Sequence, residues 1–96
     1  MKKYKISIKA SNDIISIYQY GLRMHGEHRA VEYRQHLLQR LDDIAETPFL
    51  YPLDGQAGAG YRRSVYGVNT IYYRINDGMV EIVRIIGRQD FTPRRG

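Results

Sequence analysis

Residues Tyr61 to Phe91, YRRSVYGVNTIYYRINDGMVEIVRIIGRQDF, decide the fold. They read as three consecutive antiparallel strands. The Asn76-Asp77-Gly78 sequence between two β-rich runs marks the last turn, because Asp-Gly suits a two-residue type I′ loop in which both central residues need positive φ. With Asp77-Gly78 as the loop, Ile75 faces Val80, Arg74 faces Glu81, Tyr73 faces Ile82 and Tyr72 faces Val83. Opposite charges then meet on one face and apolar pairs on the other. That regular register also puts Arg84 on the face of Tyr73 and Ile82, so either a bulge intervenes or that face is partly wet.

Upstream, Tyr4 to Lys9 alternates, with Tyr4, Ile6 and Ile8 on one face and Lys5, Ser7 and Lys9 on the other. This predicts a half-buried edge strand whose lysines discourage edge-to-edge pairing. Ser11 or Asn12 is the expected cap of a first helix, with Asp13 in its first turn. Ile14, Ile17, Tyr18, Gly21 and Leu22 form its apolar stripe, Gly21 allowing close backbone approach, and Gly26 ends it. A second helix runs from Glu27 to about Glu46 on Ala30, Leu37, Leu38, Leu41, Ile44 and Ala45. Arg34 interrupts the stripe, its stem lying along apolar surface. Thr47-Pro48 stops the helix, since a residue before proline avoids helical geometry. Phe49, Leu50, Tyr51 and Leu53 are expected to plug one end of the core. Asp54 to Gly60, DGQAGAG, reads as a flexible stretch without a fixed conformation.

The order is β-α-α-β-β-β. It implies an α+β fold, an N-terminal helical hairpin on one face of a small, mainly antiparallel four-stranded sheet, the other face partly open. At 96 residues the chain fits one domain, residues 1–91, followed by a flexible basic tail over 92–96. A hydrophobic fraction of 43% argues against disorder, and no apolar run approaches membrane-spanning length. The absence of cysteine excludes disulfides and thiolate zinc sites. With no signal-peptide pattern, the cytoplasm is the expected location.

The net charge of +5 divides unevenly: +4 over residues 1–9, −3 over 10–60 and +4 over 61–96. A cationic sheet points to a polyanionic or acidic-protein partner. Arg62, Arg63, Arg74, Arg84 and Arg88 are interleaved with Tyr66, Tyr72, Tyr73 and Phe91, a mixture that can hold phosphates and stack bases. The same arginines can equally sit in ion pairs, Arg74 with Glu81 for example. Arg62 and Arg63, being adjacent, point to opposite faces. His25, Glu27 and His28 read as surface residues at a turn, not as metal ligands, because His36 does not complete a set at metal spacing. The glycines of DGQAGAG lack a Gly-Lys-Ser/Thr ending and lead into a strand, so they make no phosphate loop. No serine or threonine has a histidine and acid for a nucleophilic triad. Neither a metal nor a cofactor is expected.

Together these residues resemble the ParE branch of the ParE/RelE toxin superfamily, the toxic halves of bacterial type II toxin–antitoxin modules. The resemblance covers nearly the whole chain. It rests on Ala10 with the Asp13-Ile14 helix start, on Thr47-Pro48, and on Tyr61-Arg62-Arg63. It is strongest in Ile71-Tyr72-Tyr73-Arg74-Ile75, the Asp77-Gly78 turn and the run from Val80 to Asp90. A ParE-like identity implies a non-enzymatic toxin that binds DNA gyrase and traps it on cleaved DNA. It also implies neutralisation by a ParD-like antitoxin, whose disordered C-terminal segment folds onto the toxin, with hetero-oligomers as the assembly. Contacts with antitoxin or target are then expected from Arg62, Arg63, Tyr73, Arg74, Arg84, Arg88 and Phe91, with no catalytic residue. A RelE-like identity implies instead a ribosome-dependent mRNA endonuclease, with Arg62, Arg84 and Arg88 holding phosphates. Against it, Phe91 has no proton to exchange, and no histidine or lysine follows Lys9 in any strand. A third reading is a family member that binds antitoxin but is no longer toxic.

Overall fold

The computed structural model describes residues 4–87; Arg88, Phe91 and the tail over 92–96 lie outside the described residues. The elements are β1 (Tyr4–Ile6), α1 (Ile8–His25), α2 (Glu27–Glu46), β2 (Arg62–Tyr66), β3 (Asn69–Asn76) and β4 (Met79–Gly87). They form an α+β fold whose four-stranded sheet has the order β1-β4-β3-β2, with β1 parallel to β4 and the other pairs antiparallel.

The hairpin forms where the sequence placed it. Asp77 and Gly78 have φ of 54° and 75°, as a type I′ loop requires. Ile75 opposes Val80, Arg74 opposes Glu81 and Tyr73 opposes Ile82. The register then shifts, and Tyr72 opposes Arg84, not Val83. Val83 is the extra residue of a β-bulge. Its insertion carries Arg84 off the face of Ile82 and lets Ile85 oppose the buried Ile71. A regular ladder would have driven a guanidinium into the core.

The first helix starts earlier than expected. Ser7 is the N-cap: its Oγ accepts the Ala10 N–H at 2.9 Å and donates to the Val83 carbonyl at 2.8 Å. Its own N–H donates to the Ile82 carbonyl at 3.0 Å, so one residue closes β1 against β4 and opens α1. The alternation from Tyr4 to Lys9 therefore breaks after Ile6, and Ile8 is 81% exposed in the first helical turn. Ser11 and Asn12 are helix-interior residues, and Asp13 sits beyond the first turn.

Gly26 alone joins the two helices, its φ of 88° in the left-handed range that glycine tolerates. Close approach follows at Gly21, where an added Cβ would lie 3.2 Å from the Cβ of Ala30. Leu37, Leu41 and Ile44 of α2 are fully buried against Ile71, Tyr73, Val80, Ile82 and Ile85 of the sheet. Each such aliphatic side chain contributes about 2 kcal/mol by leaving water.

The segment after α2 does not plug the core. Only Tyr51 packs against it, its ring edge-on to Tyr73 with centroids 6.4 Å apart. Phe49 and Leu50 are each 70% exposed and Leu53 is 59% exposed. The chain here instead lies beside the start of β2: Leu53 bridges Arg62, the Arg63 N–H donates to the Pro52 carbonyl, and the Asp54 N–H donates to the Tyr61 carbonyl. This stub covers part of the sheet edge. Asp54 also gives DGQAGAG a definite shape, its Oδ1 accepting the N–H groups of Gln56 and Ala57 at 3.0 and 3.3 Å.

Replacing Ser7 by alanine removes a cap and a contact to β4, and is expected to cost about 1–2 kcal/mol in urea unfolding. Ser11→Ala should stay within about 0.5 kcal/mol. Equal losses would contradict this helix start.

Candidate functional site

The sheet arginines occupy partnered positions. Arg84 lies on the bulged part of β4, beyond the end of β1, where Asp13 reaches the open edge. The carboxylate accepts Arg84 Nε at 2.7 Å, Arg84 Nη2 at 3.0 Å and the Ile85 N–H at 2.9 Å. These bonds raise the pKa of Arg84 above its ordinary value, the hydrogen bond to Asp13 contributing most. Arg74 donates to Glu81 across the hairpin at 2.9 Å, as its register foretold, which raises its pKa likewise. Arg63 lies 3.7 Å from Asp54. Arg62, opposite Tyr73 and so on the helix-bearing face, donates to the Tyr51 carbonyl at 2.6 Å and stacks over Phe49 at 5.1 Å.

Tyr73, expected among the contact residues, lies in the core. Its side chain is fully buried and its hydroxyl donates to the Pro48 carbonyl at 2.6 Å. Burial, opposed by Arg62 and assisted by Tyr51, pushes its pKa up to about 12. The structure thus spreads the expected cluster over several places: Arg62 on one face, Arg63 and Arg74 on the other, Arg84 at the β4 edge and Tyr73 in the core.

A groove of about 1090 Å³ lies between the helical hairpin and one end of the sheet, with the Asp13–Arg84 pair on its wall. Its walls come from α1 (Ile17, Tyr18, Gly21), the first half of α2 (Arg29, Tyr33, Arg34), the β2–β3 turn (Tyr66 to Asn69) and the end of β4 (Ile85 to Gly87). Tyr33 anchors the turn. Its hydroxyl lies 2.7 Å from Asn69 Oδ1 and 3.1 Å from the Tyr66 carbonyl, its single proton serving one of them at a time. Burial, then the neighbouring Tyr66, raises its pKa, while a backbone hydrogen bond at Val68 opposes. Gly67 is required there: its φ is +57°, and an added Cβ would stand 2.8 Å from the Tyr33 hydroxyl.

The groove also holds cations of a different kind. Arg34 lies over the Tyr18 ring at 4.2 Å and Arg23 over Tyr20 at 6.0 Å, and Arg29 faces the same space. Among the described residues none of the three has a carboxylate within ion-pair distance. Glu32 is the acid on these walls besides Asp13, which Arg84 occupies. The groove is therefore a cationic, tyrosine-lined cleft suited to an acidic amphipathic segment. It was hidden in sequence because its arginines belong to the stretch whose net charge is negative. The spacing of Arg29, Tyr33 and Arg34 on one side of a helix was the available signal. Among the described residues no three histidine or carboxylate side chains converge in the way a metal site requires.

A family model described as the ParE toxin of the type II toxin–antitoxin system parDE matches residues 4–90. The chain belongs to the ParE toxin family. It is 34% identical over 86 residues to Toxin ParE1 of Caulobacter vibrioides, covering 90% of this chain and 88% of that one. Its fold resembles a chain of the chromosomal ParDE system from P. aeruginosa, with a TM-score of 0.78 at 18% identity over 91% of this chain and 96% of the other. A chain of the E. coli DinJ–YafQ complex is more distant, with a TM-score of 0.51 at 17% identity over 95% and 98%. Among the described residues no helix is long and apolar enough to cross a membrane.

The sign of the Tyr73 shift gives a pH test for the ParE-family core. A raised phenol pKa means that its contribution to stability is intact below pH 10 and is lost as pH rises through about 12. Urea midpoints measured from pH 8 to 12 should fall more steeply for the unaltered protein than for Tyr73→Phe. Parallel profiles would contradict the placement of Tyr73.

Proposed function

We propose that this ParE-family toxin acts without catalysis, by binding DNA gyrase and holding the complex of gyrase with cleaved DNA. A ParD-like antitoxin neutralises it in the cytoplasm by laying an acidic amphipathic segment into the groove between the helical hairpin and the sheet. The observation that carries the reading is the pairing of the sheet cations. An mRNA endonuclease needs arginines free to take the developing charge on a phosphate. Among the described residues, Arg74 and Arg84 are hydrogen-bonded to carboxylates, Arg63 lies 3.7 Å from one, and Arg62 donates to a backbone carbonyl beside an aromatic ring; Arg88 lies outside the described residues.

The groove supports the antitoxin half of the proposal. Arg23, Arg29 and Arg34 bring charge that, among the described residues, has no carboxylate partner, and Tyr18, Tyr33 and Tyr66 bring apolar area with polar tips. A segment that is disordered until bound gains from such a surface, since charge steers its approach while rings bury its apolar side. Membership of a toxin–antitoxin family and the likeness to a ParDE chain favour an antitoxin as that occupant.

The test uses purified protein with gyrase, supercoiled plasmid and ATP, stopped with detergent and protease, beside a ribosome programmed with mRNA. Linear plasmid should rise with dose, mRNA should stay intact, and prior addition of antitoxin should abolish the effect. Cut mRNA with unaffected plasmid would overturn the gyrase reading and return the arginines to catalytic candidacy.

A further inference from the structure

The mixture of arginine and tyrosine that the sequence placed on the sheet is assembled instead in the groove. On α2, Arg29, Tyr33 and His36 follow at i, i+4 and i+7, one face of a helix, and all three line the groove. On α1, Ser16, Tyr20 and Arg23 repeat that spacing and line the same space. Each helix therefore sets a ring beside a cation along about 10 Å of wall, at 1.5 Å per residue.

The cations are placed for a ligand with both negative charge and flat faces. Arg34 lies over the Tyr18 ring at 4.2 Å and Arg23 over Tyr20 at 6.0 Å, which holds each guanidinium beside a ring. Among the described residues neither has a carboxylate within ion-pair distance, nor does Arg29. Tyr20 is 52% exposed, so its ring has area left for a ligand. At the sheet end the rings of Tyr33 and Tyr66 stand 5.3 Å apart, tilted by 47°. The space, about 1090 Å³, exceeds the roughly 300–1,000 Å³ that holds a drug-sized ligand.

Carboxylates alone would satisfy the guanidiniums and leave the tyrosine faces unused. A nucleotide chain answers both, with a phosphate for each cation and a base face for each ring, whatever its sequence. A duplex keeps its bases stacked on one another, so the match is to a single strand.

We propose that the groove is a binding site for single-stranded nucleic acid, with phosphates on Arg23, Arg29 and Arg34 and a base stacked on Tyr20. DNA and RNA share that chemistry. The site coincides with the groove assigned above to the antitoxin, and on that assignment rests a consequence: the acidic segment and the nucleic acid exclude one another. Neutralisation then needs no change of shape, because antitoxin carboxylates take the cations that the toxin uses on a phosphate chain.

The test is fluorescence anisotropy of the purified full chain with labelled oligo-dT, oligo-rU and a dT·dA duplex of equal length. Single strands should bind with a log–log salt slope of about −2, as three phosphate contacts give. Arg29→Ala and Arg34→Ala should each flatten that slope by about 0.7. Tyr20→Ala should weaken binding at least about fivefold at unchanged slope, and Tyr20→Phe, which keeps the ring, should restore it. Arg63→Ala and Arg74→Ala should stay within about twofold, and unchanged thermal midpoints establish that every variant folds. Binding of one single strand and not the other supports the site and identifies its source. No binding of either at low salt would overturn the proposal. So would equal affinity for the duplex with Tyr20→Ala silent, which is the behaviour of a merely cationic surface. Antitoxin should displace bound oligo-dT. If it does not, while Arg29→Ala still releases the oligonucleotide, the nucleic-acid site stands and the antitoxin reading of the groove fails. Antitoxin held through Arg29 and Arg34 by a protein that binds no oligonucleotide gives the reverse.

Discussion

The structure depends on how a sheet with one short edge strand is closed against its helices, and Asp13 does this. Among the described residues, β1 pairs with β4 from Val80 to Ile82, and no strand covers the rest of β4 on that side. Ser7 takes the next carbonyl and Asp13 takes the next N–H, so side chains of the cap and helix continue what the strand leaves off. The Val83 bulge makes this possible, because it turns Arg84 away from the core and toward the same carboxylate. A charge that would be intolerable in a regular register becomes a two-point clasp between α1 and β4.

That clasp belongs to a wider division of charge. Three arginines of the strands have carboxylate neighbours within the fold: Arg84 on α1, Arg74 across the hairpin, and Arg63 beside the Asp54 turn. On the helices, Arg40 also holds the fold by donating to Ser64 Oγ and the Val65 carbonyl, whereas Arg23, Arg29 and Arg34 have rings or open groove beside them. Cations with solvent or aromatic neighbours can exchange water for a partner's carboxylates, whereas a paired guanidinium must first break its bond. Net charge by segment points to the sheet; pairing points to the groove between hairpin and sheet.

Local chemistry made some of this legible. Asp77-Gly78 announces its turn because few residues accept positive φ, and the period of Ala30, Leu37, Leu41 and Ile44 fixes α2 because only one helical face can be dry. The Arg84 conflict even signalled the bulge. What was illegible depends on contacts between distant segments. Ser7 looked like a strand residue because alternation continues through it, and only the Val83 carbonyl shows it to be a cap. Phe49, Leu50 and Leu53 carry the composition of a core segment, but clamping by Tyr73 and Arg62 turns them outward. Tyr73 reads as an aromatic of a basic cluster until its hydroxyl finds Pro48.

The central claim is that binding strength for an acidic partner resides in the groove cations and not in those of the sheet. The direct measurement is antitoxin affinity, at two salt concentrations, for Arg29→Ala and Arg34→Ala beside Arg63→Ala and Arg74→Ala. The groove variants should each weaken binding about tenfold and flatten its salt dependence, while the sheet variants stay within about twofold of the unaltered protein. The reverse ranking, with the sheet arginines dominating and the groove arginines silent, would contradict the account.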